Sequence, residues 1–294
     1  MSTHTRIDFH DQIAKNKWKS FFLILTIIAV FIALGFVIAM LYDPASFFVI
    51  MIFAIFFSLL YVVFSYYSSD SIALASVRAK EASRQEYREY YSLVEGLTIA
   101  SGLPMPRLYV MPSRQINAFA SGRDPEHAVI CVTEGALEKL EKRELEGVLA
   151  HELSHVANYD IRFMTLTAVA VGMVAILSEL FLRSLWLRNS DDNKAGAILL
   201  IVGIALAILA PIFVQLVQLA ISRKREYAAD ASGVKFTRYP QGLASALKKI
   251  KADNQPEKHI SKAVAPLFFA NPFNANILST HPPLEKRIEI LERM

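Results

Sequence analysis

His151, Glu152 and His155 stand at positions i, i+1 and i+4 of one short stretch, His151-Glu152-Leu153-Ser154-His155. On an α-helix, residues four apart lie one above the other, so both imidazoles converge on a single tetrahedral ion such as Zn2+. Glu152 then points beside that ion rather than at it. Zinc draws the pKa of a bound water toward neutrality, and a neighbouring carboxylate can take the water's proton while its oxygen attacks a carbonyl. The chemistry implied is metal-assisted hydrolysis.

The elements that must position these groups are legible around them. From Glu141 through Asn158, Leu145, Val148, Leu149, Leu153 and Val156 recur at spacings of three and four, which predicts an amphipathic helix carrying the motif. No Pro or Gly interrupts Val148 to Asp160. Two imidazoles leave the ion short of a protein ligand. Glu226-Tyr227-Ala228-Ala229-Asp230 offers two carboxylates on one helical face, with alanines small enough for close helix approach. One carboxylate could bind metal and the other orient an imidazole. A solvated acidic face is the plainer alternative for this segment.

The 294 residues are 54% hydrophobic and only 20% charged, with a mean hydropathy of +0.35, which is too apolar for an ordinary soluble domain. Four apolar runs follow: Phe21 to Tyr42, Ala45 to Tyr67, Phe163 to Leu182 and Ala195 to Ile221. The first covers about 33 Å as a helix and lacks a signal-peptide exit, so it reads as an uncleaved span. The third is weaker, holding Thr165, Thr167 and Glu179. Pro211 should kink the fourth. The net charge of +4 sits beside the spans, with Lys15, Lys17 and Lys19 before the first and Arg223-Lys224-Arg225 after the fourth. Such charge reads as topology rather than nucleic-acid binding, and it places the soluble parts in the cytoplasm. Arg183, Arg188 and Lys194, between the third and fourth runs, weigh against this assignment. Two runs separate His155 from Glu226, an even number, so both reach one membrane face. The lone Cys131 excludes an intrachain disulfide and reads as a core strand residue.

The expected fold is mainly α: four transmembrane helices and a cytoplasmic α+β domain with a small β-sheet. Its expected organisation is an N-terminal hairpin over 1–67, a first catalytic part over 68–162, a second hairpin over 163–221 and a second catalytic part over 222–294. Residues 68 to 95 read as one helix leading out of the membrane, broken by Gly102-Leu103-Pro104-Met105-Pro106. Arg107 to Met111 and His127 to Val132 read as strands. Between them Asn117-Ala118-Phe119-Ala120 suits an exposed edge strand, or equally an ordinary hairpin strand. Gly242 to Ile250 and the chain from Leu284 read as helices. Gln215, Gln218, Ser222 and Glu226, spaced three, four and four, form a polar stripe on the fourth run.

The chain resembles the HtpX family of bacterial membrane metalloproteases, relatives of the CAAX prenyl proteases. The resemblance spans nearly the whole length and rests on five features. These are the N-terminal spans, Asn117 to Ala120, the His151 to His155 motif followed by Asn158 and Asp160, Glu226 to Asp230, and Ser279-Thr280-His281-Pro282-Pro283 ahead of Arg287. It implies a zincin-like, ATP-independent endopeptidase in the cytoplasmic membrane, with one Zn2+ per chain and an active site facing the cytoplasm. Misfolded or unfolded membrane proteins are the implied substrates, in stress-linked quality control. It implies ligation by His151, His155 and Glu226, with Glu152 as base and His281 near the transition state. Asp230, Asn158 and Arg287 are implied around the ligands. Substrate backbone is expected to add to Asn117 to Ala120 as an extra strand. Oligomeric state is unspecified.

Three other readings compete. A prenyl-protein processing protease is the nearest. A scaffold or chaperone with a structural metal has no use for Glu152. A transporter needs charged or broken spans, and these offer only Pro211 and peripheral polar groups.

Overall fold

A computed structural model describes residues 9–41, 44–172, 203–204, 223–253, 264–272 and 282–294. Most of the third and fourth apolar runs, the Gln215, Gln218 and Ser222 part of the polar stripe, and His281 lie outside these residues.

Two long helices open the chain, α1 (Phe9–Leu41) and α2 (Phe47–Ser76), joined through a short 3-10 turn at Pro44–Ser46. They pack on one another as a hairpin. Among the described residues α2 alone is long and apolar enough to cross a membrane, and Phe48, Ile52, Phe53, Phe57 and Phe64 turn its apolar surface outward. No Gly or Pro interrupts α2, so it runs nine residues past Tyr67. Residues 68 to 95 do not form the one continuous helix expected. Arg78 takes the left-handed conformation (φ 54°), and Lys80–Glu81 forms the short strand β1 before α3 begins at Arg88. That strand exists because β2 supplies its partners, Lys80 opposite Val110 and Glu81 opposite Tyr109.

α3 (Arg88–Ser101) ends where Gly102 adopts φ 73°, a conformation that disfavours side chains. Strands β2 (Arg107–Met111), β3 (Ala118–Gly122) and β4 (Ala128–Thr133) complete a mixed sheet ordered β1-β2-β4-β3. β2 runs parallel to β4, and β3 antiparallel to it. His127 does not join β4 as expected. It ends a 3-10 turn, Pro125–His127, where Asp124 accepts a hydrogen bond from its amide.

β3 and β4 are buried on both faces because helices cover each. Ala128, Ile130 and Val132 of β4 pack with α3 and with α5 (Lys142–Ala157), while Val129 and Cys131 meet the end of α2 and residues Met164 and Ala168. The latter two belong to α6, helical over residues 160–172. α4 (Glu134–Lys139) is a short connector. α7 (Arg223–Thr237) and α8 (Pro240–Asp253) both pack on α5, and α9 (Leu284–Glu292) packs on α8. The helix packing on α5 uses small residues where it must be close. A Cβ on Gly147 would stand 2.7 Å from the Leu243 backbone nitrogen, and one on Gly233 would stand 3.0 Å from that of His151.

Candidate metal centre

α5 carries the motif within the bounds that periodicity predicts. Its first turn is closed by the Glu144 carboxylate, which accepts the Glu141 amide at 2.8 Å, and Asn158 caps its far end. Lys249 at 2.6 Å and the Ser245 hydroxyl at 2.6 Å hold that carboxylate from α8. Burial alone would raise the Glu144 pKa, but these donors outweigh it and hold the carboxyl below its usual range.

The two motif imidazoles are buried, at 0% and 4% exposure, an expensive place for them unless every nitrogen has a use. Their Nε2 atoms lie 3.2 Å apart. Glu226 from α7 stands 3.7 Å from each, through Oε2 to His151 and Oε1 to His155. Donors about 2.0–2.1 Å from a tetrahedral ion sit about 3.3–3.4 Å from one another, and the two Nε2 atoms with a Glu226 oxygen against each form a buried donor cluster, one atom from each residue lying within 4.8 Å of the others, that could hold a metal ion. Ala229 and Gly233 let α7 approach closely enough to bring Glu226 there.

Each imidazole is aimed by an aspartate on its other nitrogen. Asp230 Oδ1 lies 2.8 Å from His151 Nδ1, and Asp160 Oδ2 lies 3.1 Å from His155 Nδ1. An Nδ1 proton directed at a carboxylate leaves the Nε2 lone pair free for a metal. Arg287, fully buried on α9, clamps Asp230 with two bonds, Nε to Oδ2 at 2.9 Å and Nη2 to Oδ1 at 2.7 Å. Its third nitrogen donates to the Phe269 carbonyl at 3.2 Å, and its plane lies over the Phe269 ring, which meets His151 edge-on. Burial would raise the Asp230 pKa, yet Arg287 and His151 overcome it and keep the carboxyl low. Burial would likewise lower the His151 pKa, but Asp230 and Glu226 hold it up at about 9. A metal at Nε2 must displace that proton.

Glu152 is also buried, and its Oε1 has no hydrogen-bond partner among the described residues. Burial and the nearby Glu226 push its pKa up, while both imidazoles and a hydrogen bond from the Ala120 amide pull the other way. An orphaned carboxylate oxygen beside a donor cluster that could hold a metal fits a residue that handles a proton.

Asn117, Ala118, Phe119 and Ala120 reach the edge of the sheet next to α5, but they are not exposed as expected. Residues 264–272 lie along this edge, with Phe268 bridged to Phe119. The Phe269 amide donates to the Ala118 carbonyl at 2.8 Å. The Asn117 side chain pairs with both main-chain groups of Ala270, at 2.9 and 3.1 Å. The outward backbone groups at 117–118 are thereby used, and three apolar side chains bury both faces.

Asn158 is buried at the end of α5, and Asp160 contacts the His155 imidazole directly, a role its position just past a helix cap could have signalled. Asn16, bonded to Asp160, and Phe269, against the His151 ring, also stand at the site. Neither carries a local signal, since their roles come from chain segments far apart.

These features agree with known proteins. Residues 84–294 match peptidase family M48. The chain is 41% identical over 294 residues to a protease HtpX homolog from Dictyoglomus turgidum, covering 97% of this chain and 95% of that one. It is 46% identical over 238 residues to another from Thermoanaerobacter pseudethanolicus, covering 78% and 80%. The fold resembles crystalline Ste24p of S. mikatae with a TM-score of 0.51 at 19% identity, spanning 95% of this chain and 66% of that one. With this match over most of the chain and near-full-length relatives, the chain belongs to peptidase family M48 and is a membrane metalloprotease.

Proposed function

We propose that the protein is a zinc endopeptidase with His151, His155 and Glu226 as ligands and Glu152 as general base. The observation that carries this reading is the buried cluster of His151 Nε2 and His155 Nε2, 3.2 Å apart, with a Glu226 oxygen 3.7 Å from each, and the orphaned Glu152 oxygen beside it. A bound zinc supplies an acidified water and a Lewis acid for the peptide carbonyl. Glu152 takes the proton from the attacking water and returns it to the leaving amine. Asp230 and Asp160 keep the imidazoles in the ligating tautomer, Arg287 steadies Asp230, and Asn158 braces the helix end. His281 serves near the transition state, as the resemblance implies.

Substrate backbone pairs with β3 beyond Ala118. Outward positions alternate along a strand, so the Ala120 and Gly122 carbonyls face the same side as that of Ala118. Main-chain pairing of this kind reads shape rather than sequence, which suits misfolded or unfolded membrane proteins in quality control. The outward apolar face of α2 and the paired α1 support anchoring in the bilayer. The full proposal has four spans, in 1–67 and 163–221, and catalytic parts in 68–162 and 222–294, facing the bacterial cytoplasm.

The test is cleavage of an unfolded protein by the purified full-length chain. Activity should vanish with chelator and return with one equivalent of Zn2+. Cleavage indifferent to the chelator would sink the reading.

A further inference from the structure

Asp230 is clamped by Arg287 near the end of the chain, and Asp160 has a counterpart near its beginning. Asn16, on the part of α1 that precedes the apolar run, is 3% exposed and donates from Nδ2 to Asp160 Oδ1 at 2.7 Å and to the Asn158 carbonyl at 3.0 Å. Asp160 Oδ2 faces His155 Nδ1 at 3.1 Å. One carboxylate therefore joins the first helix to a motif imidazole.

Two further observations place this contact under constraint. Tyr159 sits between the two groups Asn16 holds, at φ 57°, a left-handed conformation uncommon for a bulky residue. That turn is what folds Asp160 back toward His155. Lys17 lies over the Tyr159 ring at 4.5 Å and Lys19 over the Phe163 ring at 5.8 Å, so lysines that follow Asn16 hold both ends of residues 159–163 against α1. The other cation near Asp160 is Arg225, whose Nε is 3.6 Å from Oδ1, beyond hydrogen-bond reach. It adds charge without aim. Asn16 supplies the directed bond.

We propose that Asn16 is a positioning residue for the metal centre, acting through Asp160 to fix the direction and tautomer of His155. The N-terminal hairpin is on this account part of the active site as well as an anchor. The inference rests on His155 being a ligand.

The test uses full-length protein in detergent, with the zinc dissociation constant from chelator competition and the visible absorption of the Co2+-loaded form as readouts. Direct partners of ligating imidazoles change affinity about 10- to 100-fold, so one step further out Asn16→Ala should weaken zinc about 3- to 10-fold and shift the Co2+ bands. Asn16→Ser, which keeps a small polar side chain without the amide, should behave alike and covers a folding failure of the first variant. In an Asp160→Ala background either change should add less than about 2-fold, because the path is already cut. Ser20→Ala, which removes the bond from Ser20 to the Asn16 carbonyl, should leave both readouts unmoved. Unchanged affinity and spectrum in the Asn16 variants, or an equal factor in both backgrounds, would overturn the proposal even if thermal stability fell. His155→Ala separates the two layers. Wild-type zinc affinity there overturns the ligand reading and this inference together. Lost affinity there beside unmoved Asn16 variants overturns the inference alone.

Discussion

Asp230 Oδ1 stands 2.8 Å from His151 Nδ1 and 2.7 Å from Arg287 Nη2, so a single carboxylate oxygen couples an imidazole of α5 to a guanidinium of α9. Asp230→Ala should weaken zinc binding about 10- to 100-fold, the range for partners of ligating histidines. Glu226→Gln should weaken it more, because a neutral amide is a poor zinc ligand. Chelator competition on the purified variants measures both. Equal affinity in Glu226→Gln and the parent would remove Glu226 from the ligand set.

Gly147 marks a close approach between α5 and α8. A Cβ there meets Leu243 backbone at 2.7 and 2.9 Å, and backbone has no rotamer by which to yield. Gly147→Ala should destabilise the catalytic part by about 1–3 kcal/mol despite the better helix propensity of Ala. Thermal unfolding of the detergent-solubilised protein reads it, and a rise in melting temperature would contradict the packing.

Glu144 links acid stability to the catalytic helix. Its folded pKa is below the unfolded value, so its contribution is complete above the unfolded carboxylate range. It is lost as pH falls through the depressed folded value. Glu144→Gln should lower the melting temperature at neutral pH and flatten its fall on acidification. A variant with the parent's pH profile would show that Lys249 and Ser245 contribute nothing through this carboxylate.

Much of this architecture was legible because it is local. α5 and β2 appear within a residue or two of where apolar spacing puts them, and the break at Gly102 follows from one residue's conformational freedom. What escaped depends on distant partners. β1 is two exposed polar residues that become a strand only against Tyr109 and Val110. Arg287 is named only through the family resemblance, since the charged helix around it carries no local sign that Asp230 will bury it. Asn117 to Ala120 has the pattern of an open edge, and nothing within it announces that Phe268 to Ala270 will lie alongside. Asn16 and Asp160 are 144 residues apart, beyond any periodicity.

The four-span arrangement is open to labelling. A cysteine placed at Asn189 should react with an impermeant reagent outside intact cells, and one at Gln255 should not. Protection of both would make residues 163 to 221 a re-entrant or surface hairpin, which still leaves Glu226 on the same side as His151.

The central claim is that Glu152 moves protons and does not hold the metal. Glu152→Ala, measured for zinc content by atomic absorption alongside cleavage of an unfolded protein, separates the two roles. The account predicts one zinc per chain retained while turnover falls by about 10²-fold or more. Zinc lost in step with activity, or turnover preserved, would contradict it.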